Sequence, residues 1–370
     1  MKAELIEETA FWLPQDKAES YLAWFKPHLE VALEGYLNAK SREAVQINPE
    51  ATVLVEEIRR LVASGGKRAR PAFLYSGYVA AGGLSHDAAI FASLSVELLH
   101  TFALIHDDII DNADLRRGRP TTERIFEKFH HSRKLQGDAG QYALSTAILA
   151  GDLAISFAEQ ILTEAPFPQE RLRRARSYFD QMKIQVLYGQ YLDVLSGYKK
   201  EITEDEALQI LDLKTARYTV ERPLHIGATL AGADGKTLEV LTAYAIPLGQ
   251  AIQLQDDIVG TFGSEAEIGK PTDSDIKEGK KTLLVAKALK EATKTQKEFL
   301  QKVLGDKKAG QEDIRTFKEI LIDTGAYDYA ANLAKRLATQ AIEAIERAEL
   351  VSEGKDYLLA AAEHLLRRRV

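Results

Sequence analysis

No cysteine occurs in the sequence, which excludes disulfides, thiolate catalysis and cysteine-ligated zinc and suits a reducing, cytoplasmic setting. An excess of positive charge is also lacking: 48 Lys and Arg stand against 55 Asp and Glu, a net charge of −7 that offers no electrostatic footprint for nucleic acid. No uninterrupted apolar run reaches the roughly 18 residues that cross a bilayer, so no membrane span is expected. The N-terminal MKAELIEETAFWLP places Glu4, Glu7 and Glu8 where a signal sequence needs an apolar core. Strand-like runs rich in Val, Ile and Thr are scarce, and nearly every segment has helical periodicity. Hydrophobic residues at 45% and charged residues at 28% are normal for a chain with a sizeable core. Length alone would allow about two or three domains, yet the pattern predicts an N-terminal helical extension over residues 1–45 and a single all-α domain over 46–370.

Helices are predicted over about 16–37, 49–63, 70–81, 85–112, 141–161, 169–195 and 203–221, with others following to the C-terminus. Asn48 before Pro49 reads as an N-cap with proline at the first helical position, and Thr203 with Glu206 as a capping box. Pro223 should end or kink its helix, Pro247 should kink the next, and Gly260 should stop it. The polar stretch Gly263 to Thr282 is long for a connection in a compact domain, which marks it as a functional loop or lid.

Two acidic clusters carry the strongest chemical signal: Asp107-Asp108-Ile109-Ile110-Asp111 and Asp256-Asp257. On a helix Asp107 and Asp111 project from one face, with Asp108 rotated by about 100°. The apolar stretch AAIFASLSVELLHTFALI before the first cluster makes that helix a core element whose acids emerge at its end. The negative end of a helix dipole disfavours carboxylates by up to roughly 1 kcal/mol each, so a cation should sit with them. Mg²⁺ fits, because it takes oxygen ligands and is commonly shared between one or two carboxylates and substrate phosphates. Gly65-Gly66-Lys67-Arg68-Ala69-Arg70-Pro71 has the composition of an anion cradle at a helix start, and Arg116, Arg117 and Arg119 follow the first aspartates closely.

Together, GGKRARP, ELLHTFALIHDDIIDNADLRRGRPT, GQYLD, KTA, QLQDD with its following GK, and EGKKT resemble the trans-type isoprenyl diphosphate synthases of the polyprenyl synthetase family, from about residue 50 onward. The resemblance implies an all-α fold with helices around a deep central cavity, a homodimer, and three Mg²⁺ ions per active site. It implies that Lys67, Arg70, His100 and Arg117 hold the diphosphate of isopentenyl diphosphate. Asp107, Asp108 and Asp111 would carry two Mg²⁺ ions on an allylic diphosphate (dimethylallyl, geranyl or farnesyl) and Asp256 a third. Arg116, Lys214 and Lys270 would grip that same diphosphate, with Thr215 and Gln253 beside the reacting carbons. His106, next to Asp107, reads as its orienting partner. One departure stands out, glycine at position 260 where a third aspartate is frequent, and it leaves Asp257 the role of a supporting charge.

Phe102 lies about 7.5 Å below Asp107 along the helix and Leu99 about 12 Å below, so either can floor the cavity, while small Ala103 leaves its upper part open. That placement resembles short-chain synthases making geranylgeranyl diphosphate, with farnesyl diphosphate next. A terpene cyclase would share the metal-binding helix yet need no second diphosphate site, and a noncatalytic regulatory subunit could dispense with the acids. Lys67, Arg70 and His100 argue against the first, and the two intact clusters against the second.

Overall fold

The computed structural model describes residues 18–263 and 274–367. Helix α1 (Ala18–Ile47), a 3₁₀ turn (Pro49–Ala51), α2 (Thr52–Ala63), α3 (Ala69–Ala80) and α4 (His86–Ile110) lead to a two-stranded hairpin, β1 (Leu115–Arg116) and β2 (Arg119–Pro120). Next come α5 (Thr122–Ser132), α6 (Ala139–Glu164), α7 (Gln169–Tyr198) and α8 (Glu204–Leu211), a π-helical segment (Asp212–Glu221), α9 (Arg222–Ala231) and α10 (Gly235–Phe262). The chain finishes with α11 (Ser274–Glu278), α12 (Leu283–Glu291), α13 (Lys294–Val303), α14 (Gln311–Asp323), α15 (Ala326–Glu346) and α16 (Ser352–Arg367).

Helix α4 is the axis of the core. Leu94, Val96, Leu98, Leu99 and Ile105 are wholly buried against α3 and α6, as its nearly continuous apolar sequence requires. Helices α3 and α9 cross backbone to backbone at Gly77 and Gly227, where an added Cβ would collide with the carbonyl oxygens of Leu224 and Leu74. Phe25, Leu29, Leu33 and Leu37, spaced one turn apart, bury one stripe of α1 in the same core. Helices α4 and α6 are each long and apolar enough by composition to cross a bilayer; that stretch is 78% buried inside the fold in α4 and only 39% in α6.

The Asn48 cap and the Thr203–Glu206 capping box form as expected. Helix α1 runs on to Ile47, beyond the predicted stop near 37, because no breaker intervenes before Asn48-Pro49. Gly260 does not end α10, which reaches Phe262 with Gly263 as its cap. Pro223 neither ends nor breaks its helix. The widened π turn ahead of it, in which the Arg222 N–H bonds to Arg217 O five residues back, absorbs a residue that would otherwise clash with the carbonyl four positions earlier. Pro247 lies within the continuous α10.

Candidate active site

The first acidic cluster closes α4. Asp111 is the C-cap and Asn112 takes a left-handed conformation (φ 49°) where glycine is usual. The Ala113 N–H returns to Asp108 O and the Asn112 N–H to Ile109 O, the paired bonds of a Schellman motif. The chain therefore turns sharply and sends β1 and β2 back beside the aspartates. Arg117 and Gly118 (φ 51° and 70°) form the turn, both left-handed as a two-residue hairpin of the primed type demands. This hairpin delivers the arginines. Arg116 donates through Nε to Asp108 Oδ1 (2.7 Å) and through Nη2 to Asp107 Oδ2 (3.3 Å), while Arg117 donates through Nη1 to Gly65 O and so joins the hairpin to the glycine-rich turn.

Asp108 is buried beneath Arg116, whereas Asp107 stays partly open and accepts from Gln190 Nε2 of α7 at 2.9 Å. Asp111 opens to solvent, yet partial burial, and after it the charge of Asp107, pushes its carboxyl up to about 6. Lys214, Glu278 and Lys280 also act on that carboxyl.

The π-helical segment presents the next group. Gly189 of α7 and Gly249 of α10 leave room for it, since a Cβ at either would press on Lys214 and Ala216 respectively. Lys214 pairs through Nζ with Asp193 Oδ2. Thr215 donates to Gln253 Oε1 (2.6 Å), and Gln253 Nε2 donates to Asp257 Oδ1 (2.7 Å), a relay from the π segment to the second acidic cluster. Burial drives the Asp257 carboxyl up to about 7; the Gln253 bond opposes the rise and Asp275 and Asp256 add to it. A side chain at Gly260 would run into Oδ2 of Asp275, so the α11 carboxylate occupies the space beside the second cluster that glycine vacates. Lys280 bonds Asp275 Oδ1 at 2.8 Å and acts on both Asp257 and Asp111, so it stands within electrostatic reach of both clusters.

A third group lies across α3, α4 and the π segment. Arg70 sets its guanidinium over the Tyr218 ring at 4.5 Å, and His100 meets the same ring edge-on at 6.4 Å. Arg70 Nε, His100 Nδ1 and Tyr218 OH are buried, and each lacks a hydrogen-bond partner among the described residues. Burial, with Arg70 and Arg117 next, holds the His100 imidazole well below its usual pKa, so it is neutral. Burial pushes the Tyr218 hydroxyl up to about 12. Three unsatisfied buried polar atoms around one ring are costly unless an anionic group completes them.

Several expectations shift here. Arg68, counted in the cradle, turns inward to Glu30 and Glu97. His106 leaves Asp107 and faces α6, with Nε2 3.3 Å from Ile148 O and its ring 4.5 Å from Phe102. Leu99 and Phe102 are buried and Ala103 half-buried on α4. Lys67 belongs to the turn before α3, and Asp256 to α10 one residue before Asp257. Lys270 lies outside the described residues. Gln190, Asp193, Tyr218, Asp275 and Lys280 had no assigned role in the sequence, although GQYLD contains the first two and EGKKT contains Lys280.

The sequence model described as polyprenyl synthetase matches residues 51–321. The chain belongs to the polyprenyl synthetase family. The geranylgeranyl diphosphate synthase of Sulfolobus acidocaldarius is 36% identical over 327 residues, covering 87% of this chain and 93% of that protein. A geranylfarnesyl diphosphate synthase from Aeropyrum pernix is 32% identical, covering 83% and 92%. The crystal structure of a geranylgeranyl pyrophosphate synthase from Corynebacterium glutamicum, complexed with isoprenyl diphosphate and magnesium, superposes with a TM-score of 0.87 at 33% identity, covering 96% of this chain and all of that one.

For this polyprenyl synthetase, the donor set is suited to Mg²⁺. The clusters offer only carboxylate oxygens, burial first and neighbouring carboxylates after it raise the Asp111 and Asp257 carboxyls, and cations stand around the acids. Among the described residues no three acids or histidines converge as a preassembled ligand set.

Proposed function

We propose that this trans-prenyltransferase condenses isopentenyl diphosphate head-to-tail with an allylic diphosphate and releases a short-chain all-trans prenyl diphosphate, geranylgeranyl diphosphate first and farnesyl diphosphate next. The observation that supports this reading is a pair of separate groups of basic and polar side chains, each suited to an anion. One is the aspartate face with Arg116 and Lys214; the other is the unsatisfied Arg70–His100–Tyr218 cluster beside the glycine-rich turn. A single-substrate cyclase has no use for the second.

In this reading Asp107, Asp108 and Asp111 would hold two Mg²⁺ ions and Asp256 a third, and the ions would supply neutralisation of the leaving diphosphate. Asp108, buried against Arg116, fixes that guanidinium toward the same diphosphate. Lys214, and by resemblance Lys270, add fixed positive charge, a preorganised stabilisation of the developing anion. Lys67, Arg70, His100 and Arg117 hold isopentenyl diphosphate, with neutral His100 donating a hydrogen bond without adding charge. Thr215 and Gln253, bonded to each other, orient the reacting carbons. The electron pair of the isopentenyl double bond forms the new C–C bond, diphosphate departs with the C–O pair, and loss of one proton restores a double bond. The apolar face of α4 below Asp107 keeps water from the cationic carbon, and Phe102 limits the tail.

We also read residues 46–370 as the catalytic unit, with residues 1–45 as an extension that the buried stripe of α1 ties to it. A homodimer formed through α6 and α7 is supported by the exposed Leu149, Ile184, Leu187, Tyr188 and Tyr191 on those helices. Chromatography of products from isopentenyl diphosphate and each allylic primer with Mg²⁺ tests the function; a C20 product supports it, and primer cyclised or left intact refutes it.

A further inference from the structure

We infer that Glu30 of α1, acting through Arg68, is a positioning residue for the isopentenyl diphosphate site, so that the N-terminal helix is a working part of the anion cradle. The inference rests on the two-substrate reading above. The turn between α2 and α3 has little regular structure of its own: Gly65 and Arg68 are both left-handed, at φ 92° and 53°, and Arg68 is a residue type that seldom accepts this conformation. What fixes the turn is the Arg68 side chain. Its guanidinium, almost wholly buried, donates Nε to Glu30 Oε1 (2.8 Å), Nη2 to Glu30 Oε2 (3.2 Å) and to Val62 O (2.7 Å), and Nη1 to Glu97. One arginine is thereby clamped to α1, α2 and α4 at once, and the bond to Glu30 is the bidentate one.

The clamp bears directly on the cradle. A Cβ at Gly66 would lie 3.4 Å from Arg68 Nη1 and 3.5 Å from Arg117 Nη1, so the glycine sits against the inward Arg68 on one side and the outward Arg117 on the other. Arg68 is also the N-cap residue of α3, two positions before Arg70, and Glu97 lies one turn before His100 on α4. Loosening the guanidinium thus disturbs Lys67, Arg70 and Arg117 together, while the aspartate face, which Glu30 does not touch, keeps its geometry. Glu30 bonds only part of this guanidinium, which keeps Glu97 and Val62 O, so a graded effect is expected.

Steady-state kinetics of the full chain with isopentenyl diphosphate and an allylic primer varied in turn is the test, on Glu30→Gln and Glu30→Ala. Glu30→Ala should raise KM for isopentenyl diphosphate roughly tenfold, the low end of what a charge-assisted hydrogen bond is worth. KM for the allylic primer and kcat should each change by less than about twofold. Glu30→Gln, which keeps an acceptor for Nε–H, should fall between wild type and Glu30→Ala, and it remains informative if the alanine variant does not fold. Calorimetric titration with isopentenyl diphosphate should show the same order of affinities. A lowered melting temperature with unchanged KM for isopentenyl diphosphate, or equal rises for both substrates, would overturn the inference and leave Glu30 a packing residue. Failure of the two-substrate reading is separately visible, as wild-type protein that forms no prenyl product from the two diphosphates.

Discussion

Protonation of His225 should destabilise the fold by a predictable amount. The ring is buried among α9, α10 and the π segment. Its Nδ1 faces Arg222 Nη1 at 3.2 Å; because arginine can only donate, Nδ1 must accept, and the ring proton resides on Nε2, shared between Leu238 O (3.2 Å) and Thr242 Oγ1 (2.9 Å). The Thr242 hydroxyl in turn donates to buried Glu221, which also takes Arg217. Burial first, and Arg222 second, pull the imidazole from 6.5 down to about 4. The folded protein thus binds this proton more weakly than the unfolded chain does. The contribution of His225 to stability is complete above pH 6.5, falls as the pH drops toward 4, and changes no further below that. At 1.36 kcal/mol per pKa unit the loss is about 3 kcal/mol. Urea denaturation of wild type and His225→Gln between pH 7.5 and 4 reads it directly. Glutamine lowers the baseline but cannot titrate, so the gap between the two proteins should narrow by about 3 kcal/mol on acidification. Parallel pH profiles would refute the tautomer assignment and the role of this network in bracing the segment that carries Lys214 and Thr215.

Asp107→Ala or Asp111→Ala should lower kcat by roughly a hundredfold or more while leaving the far-ultraviolet circular dichroism unchanged, since Asp107 is only half-buried and Asp111 is exposed, so neither packs in the core. Phe102→Ala should lengthen the product on reversed-phase chromatography and cost about 3 to 5 kcal/mol, because the ring is buried and packs on His106; an unchanged product length would place the floor on another helix. Gly227→Ala should cost at least about 1 to 3 kcal/mol in denaturant, since its methyl group meets the backbone of α3 at Leu74 and Tyr78; wild-type stability would mean that the α3–α9 crossing is not tight.

Much of the site was legible because its signals are local. The apolar run before Asp107 fixes α4 as a core helix, and the acids at its end follow from their positions in that run. Helix boundaries at Asn48 and Thr203 were readable for the same reason, since a cap is chosen within a few residues. The hairpin after Asp111 was missed because Arg117-Gly118 is a weak version of the turn dipeptide, its left-handed arginine being stabilised by a distant partner, Gly65 O. The π segment was missed because α and π turns differ by one residue of hydrogen-bond register, which leaves no periodic trace over ten residues. Tyr218, Asp275 and Glu30 were invisible for a third reason. Each acquires its role from a partner on another helix, Arg70, Gly260 and Arg68 respectively, and only packing makes those pairs.

The central claim is that two diphosphates are held at once, one on the aspartate face and one at the Arg70–His100–Tyr218 cluster. Diphosphate release measured with the allylic primer alone, with isopentenyl diphosphate alone and with both, in Mg²⁺, tests it most directly. The account predicts rapid release only with both present, in step with prenyl product; release at full rate from the allylic primer alone would contradict it.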